Sequence, residues 1–88
     1  MAANSCVFRE VRMNTHLFRA GDKAEHCFII LEGNVRLDSP GFEHQKIMQM
    51  AIIGPKTLFG HQDLKGTERT QNGVCCSSQG KLLQIPLE

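Results

Sequence analysis

Along most of this chain, apolar side chains recur at every second position rather than every third or fourth. In NVRLD (34–38), Val35 and Leu37 alternate with Asn34, Arg36 and Asp38. In VFREVRM (7–13), Val11 and Met13 alternate with Glu10 and Arg12. A period of two gathers apolar groups on one face only when the backbone is extended, because successive side chains of a strand point to opposite sides. IMQMAII (47–53) sets Met48, Met50 and Ile52 on one face and Ile47, Gln49, Ala51 and Ile53 on the other. KLLQIPLE (81–88) groups Leu83, Ile85 and Leu87 against Gln84 and Pro86. CFIILEG (27–33) is a nearly continuous apolar run closed by Gly33, the pattern of a strand buried on both faces.

Turn residues separate these runs: AGDKAE (20–25), EGN (32–34), DSPGFE (38–43), IGPK (53–56) and SSQGK (77–81), with Asn14-Thr15 and Asn72-Gly73 as further turn candidates. Short strands between regular turns predict an all-β sandwich or barrel. Pro86 cannot donate to a ladder, so it marks an edge, a bulge or the end of the last strand. The stretch 61–72 lacks the two-residue period, and HQDLKG (61–66) within it could form one or two helical turns. Residues 1–88 are expected to form one domain, cut short just after an apolar strand.

With no Trp or Tyr, the five Phe must anchor the core together with the aliphatic residues and Met48 and Met50. The net charge is +1 and no two Lys or Arg are adjacent, which speaks against nucleic acid or an anionic membrane as partner. No apolar run approaches the ~20 residues of a membrane helix. The start MAANSCVFRE lacks a basic segment followed by an apolar one, so a cytoplasmic location is expected. Cys6, Cys27, Cys75 and Cys76 are then expected as free thiols, with Cys27 and Cys76 acting as small buried hydrophobes. Their spacing does not suit zinc: there is no C-x-x-C, and adjacent Cys75 and Cys76 point to opposite faces of a strand. Asp22 is expected as a turn residue. No catalytic triad, carboxylate pair or Cys-His set falls at a workable spacing, so no enzyme activity is expected.

The order of these elements resembles that of cyclic nucleotide-binding domains. LFRAGDKAEHCFIILEGNVRL (17–37) is similar to the opening half of that family, IIGPKTLFG (52–60) to its next strand and Phe-Gly step, and GVCCSSQGKLLQIP (73–86) to its last two strands. The resemblance implies an eight-stranded jelly-roll barrel with flanking helices, largely absent from this chain, and a phosphate-binding cassette at 59–73. The implied ligand is cAMP or cGMP, with no other cofactor. Phe59, Gly60, His61, Gln62, Arg69 and Thr70 are the candidate ligand-binding residues. Backbone amides and an Arg fork suit a cyclic phosphate.

The cassette departs from the family at both ends. His61 stands where a ribose-binding Glu is usual, and it lacks the second carboxylate oxygen. Counting back from Val74 puts Thr70 at the usual arginine position and Arg69 one residue early. Such a slip turns a side chain to the opposite face unless a bulge restores it. Arg69 is therefore expected as a solvated loop residue beside Glu68, and His61 as a partly exposed one. The expected function is a non-catalytic regulatory or interaction module that has lost its ligand, its barrel covered by a protein partner or by the missing helices. The alternative is a working cAMP or cGMP sensor that uses Arg69 and the cassette amides.

Overall fold

The computed structural model describes residues 6–40 and 47–87. Among them lie eight strands: β1 (Val7–Arg12), β2 (His16–Phe18), β3 (His26–Glu32), β4 (Val35–Pro40), β5 (Ile47–Ile53), β6 (Leu58–Phe59), β7 (Asn72–Cys75) and β8 (Gln79–Pro86). They form two antiparallel four-stranded sheets, ordered β1-β8-β3-β6 and β2-β7-β4-β5. Each sheet mixes strands distant in sequence, as in a jelly roll. The all-β expectation holds.

The inner faces meet in one cluster: Val11, Phe18, Phe28, Ile30, Val35, Phe59, Cys75 and Leu82, with Leu17, Leu37 and Ile53 packed against it. On β4 the alternation reads out directly, since Val35 is 1% exposed and Leu37 joins the same cluster. β3 contributes Phe28 and Ile30 inward, and Cys27 is buried as well. Gly33 turns β3 into β4 with a φ of 93°, and a Cβ there would lie 2.5 Å from the Gln79 carbonyl oxygen. Pro86 ends β8 opposite His26, one of the places a residue without an N–H is tolerated.

Other expectations fail, each for a physical reason. Met50 and Ile52 are exposed, because β5 is an edge strand and they lie on its outer face. β5 is apolar at both parities, so alternation could not choose the buried side. The side chain of Met48 and the turn residues 41–43 lie outside what is described. Met13 is exposed beyond the end of β1. On β8 it is Leu82 that is fully buried, paired to Ile30, rather than the Leu83 face. Of the adjacent cysteines, Cys75 is the buried one and Cys76 is half-buried. Asn72-Gly73 opens β7 rather than forming a turn.

HQDLKG forms bends and turns, not a helix. Its backbone is used elsewhere: the Gly66 N–H donates to the Ala24 carbonyl (2.8 Å) and the Thr67 carbonyl accepts from the Ala24 N–H (2.8 Å). An isolated bridge between Lys23 and Glu68 continues this pairing. A backbone paired to 22–24 is not free to close helical turns.

Candidate functional site

Three phenyl rings from three strands build the floor of the site. Phe28 of β3 stacks on Phe59 of β6 at 5.2 Å between centroids and on Phe18 of β2 at 5.9 Å. Phe18 and Phe59 are 6.2 Å apart. β7 admits this cluster because Gly73 lies under the Phe18 ring, where a Cβ would come within 2.8 Å of Cζ.

Arg69 caps the stack, its guanidinium carbon 4.3 Å from the Phe18 centroid. The residue is 4% exposed. This overturns the expectation of a solvated Arg beside Glu68. Counting from Val74 assumed an unbroken extended chain, whereas β7 begins only at Asn72 and the backbone bends at Thr70 and Gln71. Ahead of those bends, two backbone bonds to the 21–22 turn set the position of Arg69. Its N–H donates to the Asp22 carbonyl (2.7 Å), and its carbonyl accepts from the Gly21 N–H (2.8 Å).

The guanidinium is engaged by the protein itself. Nη1 donates to the Gly60 carbonyl at 2.6 Å and meets Asp63 Oδ2 at 3.4 Å. Nη2 donates to the His26 carbonyl. Nε is buried with no partner among the described residues. Gly60 has a structural reason to be glycine, with a φ of 80° and space for a Cβ limited to 3.3 Å from Arg69 Nη1 and Phe28 Cδ1. A Cβ there would be strained in backbone and crowded in space.

Beside this cluster opens a cavity of about 220 Å³, walled by Leu37, Ile53, Thr57, His61, Asp63 and Gln71 among others. Phe59, Gly60 and Gln62 also reach its wall, but Arg69 does not. Arg69 borders instead a second hollow of about 200 Å³, together with Asp22, Lys23, Glu25 and His26. Of the sequence candidates, then, Phe59, Gly60 and Arg69 form one cluster, while His61 and Gln62 are exposed rim residues. Thr70 is exposed and lines neither hollow.

Asp63, the His26 carbonyl and the Phe18 ring escaped the sequence reading. Asp63 carried one usable signal, as the sole carboxylate between Gly60 and Arg69 other than Glu68. Gln71 donates to the Ser39 hydroxyl at 3.1 Å, and Asn72 Oδ1 accepts from the Ala20 N–H at 2.8 Å. Burial pushes the Cys27 thiol upward, an effect partly offset by a backbone hydrogen bond and by the Arg69 charge. Among the described residues, no three His, Cys, Asp or Glu converge to hold a metal ion, and no helix is long and apolar enough to cross a membrane.

Comparison with known proteins agrees with this geometry. The family model of the cyclic nucleotide-binding domain matches residues 8–88. No curated protein matches. Among solved structures, the Thermus thermophilus catabolite activator protein superposes with a TM-score of 0.82 at 25% identity, over 94% of this chain. This chain spans only 38% of that protein's length. A cyclic nucleotide-binding-like protein from Brucella abortus gives 0.76 at 25% identity, covering 96% of this chain and 71% of the other. The regulatory domain of Toxoplasma gondii PKA, solved with cAMP, gives 0.82 at 15% identity over 96% of this chain and 32% of its own, a likeness of fold. With the family matched across nearly its whole length, this chain belongs to the cyclic nucleotide-binding domain family.

Proposed function

We propose that this chain is a non-catalytic regulatory or interaction module whose nucleotide site is occupied from within. One observation carries the reading: the cation suited to a cyclic phosphate is already committed to Asp63 and to the Gly60 and His26 carbonyls. An incoming phosphate would have to displace a carboxylate and leave buried carbonyls unpaired, and an unpaired buried polar group costs about 1–3 kcal/mol. His61 compounds the difficulty, since an exposed imidazole offers one acceptor where a ribose diol would use two. The unpaired thiols support a reducing, cytoplasmic setting, and a protein partner or further helices would cover the barrel.

A second reading, a cAMP or cGMP sensor, is favoured by a different observation. Arg69 Nε is buried without a partner among the described residues, and the adjoining cavity is lined by the cassette residues Gly60, His61 and Gln62. In that reading Asp63 swings out and the phosphate takes its place.

Thermal melting with millimolar cAMP or cGMP separates the two. A ligand at 100 times its dissociation constant adds about 2.7 kcal/mol, several degrees for a domain this size. The internal-occupancy reading expects no shift with either nucleotide. A shift of several degrees that Arg69→Ala abolishes would establish the sensor instead.

A further inference from the structure

Among the described residues, four strands lie at sheet edges, and three of them are protected. β1 carries Arg9, Glu10 and Arg12, β2 has three residues with a register shift, and β6 has two residues. Short, irregular or charged edges resist pairing with another chain. β5 is different. It runs seven residues, Ile47–Ile53, without a charge, a proline or a glycine. It pairs only with β4 among the described residues. In an antiparallel ladder, alternate residues direct their N–H and C=O groups away from the neighbour, so β5 presents a row of unused donors and acceptors.

We propose that β5 pairs with β5 of a second copy of this chain, antiparallel about a two-fold axis at Met50, joining two four-stranded sheets into one of eight. The sequence of the strand favours a copy of itself as the occupant. Pairing centred on Met50 sets residue i against residue 100 − i. Met50 then meets Met50, Ile52 meets Met48, Ala51 meets Gln49 and Ile53 meets Ile47. Every opposed pair is apolar or neutral, and no like charges meet, which a two-fold pairing of a charged edge easily incurs. An edge adapted to a charged partner would carry complementary charge, and this one carries none. Met50 is 55% exposed and Ile52 62%, so two copies would also cover a joint apolar strip on the outer face. Pro55, two residues past β5, has no N–H to offer and limits the pairing to the strand itself.

The test is the solution mass of the 88-residue chain by light scattering, alone and with charge-swapped variants. The wild type is expected as a dimer. Met50→Lys and Met50→Glu, at an exposed site, should each be monomeric with unchanged strand content by circular dichroism. Mixed in equal amounts they should form a heterodimer, because the axis sets Lys opposite Glu. A monomeric wild type at several hundred micromolar, or a Met50→Lys variant that stays dimeric, would overturn β5 self-pairing. Failure of the mixture to associate would overturn the axis at Met50.

Discussion

Two Arg–Asp pairs on this molecule are built in opposite senses. On β4, Asp38 is the buried partner at 4% side-chain exposure, and Arg36 beside it is 31% exposed, with Nε 3.0 Å from each carboxylate oxygen. In the cassette, Arg69 is the buried partner at 2% and Asp63 is 20% exposed. The β4 pair is two residues apart on one face of a regular strand, so the local backbone alone brings it together. The cassette pair is six residues apart, and its cation is placed by backbone bonds to the turn at Gly21 and Asp22, far away in sequence. The first pair neutralises a carboxylate under a sheet face. The second commits a buried cation to a neighbouring carboxylate.

This inversion sets which half of each pair is costly to remove. The largest effect is expected for Arg69→Ala, which opens a void over Phe18 and leaves the Gly60 and His26 carbonyls unpaired. Breaking such buried pairs costs about 3–5 kcal/mol, read as the loss in unfolding free energy by urea titration. Arg36→Ala follows at about 3 kcal/mol, because it strands the buried Asp38 carboxylate. Asp63→Ala should cost about 2 kcal/mol by exposing a buried cation to partial neutralisation only. Asp38→Ala should cost about 1 kcal/mol, since the half-exposed Arg36 can hydrate. If Asp38→Ala proves more damaging than Arg36→Ala, the contrast between the two pairs is wrong.

The smallest effect is a pH dependence at the edge of the cassette cluster. The Cys27 thiol is raised mainly by burial, so the folded chain holds its proton to higher pH than the unfolded chain does. The unfolded state then binds fewer protons as pH climbs, and stability falls. This contribution is complete below the unfolded thiol's range near ~8.5 and is lost as pH rises through the folded value. Cys27→Ala should flatten the slope of melting temperature against pH in that alkaline window. An unchanged slope would place its origin elsewhere.

The sequence was most legible where alternation had only one apolar parity. Val35 and Leu37 declared their face, and the burial of Val35 follows. β5 and β8 were harder because neighbouring positions are apolar on both sides, so only sheet order decides that Met50 is exposed and Leu82 buried. The cassette was legible as a place and not as a geometry. Phe59 and Gly60 marked where it begins, but Arg69 takes its orientation from hydrogen bonds to the 21–22 turn. The partners in those bonds lie outside residues 61–72. Asp63 was hidden for the same reason, as a carboxylate whose meaning depends on where the arginine lands.

The claim at the centre of this account is that Arg69 is held by its own protein. The Nε–H of Arg69, observed by NMR on ¹⁵N-arginine-labelled chain and assigned through Arg69→Lys, reports on it directly. A buried Nε–H should exchange slowly with solvent, and its resonance should stay in place as cAMP or cGMP is raised to millimolar levels. A rapidly exchanging signal, or one that moves and saturates with nucleotide, would contradict the account.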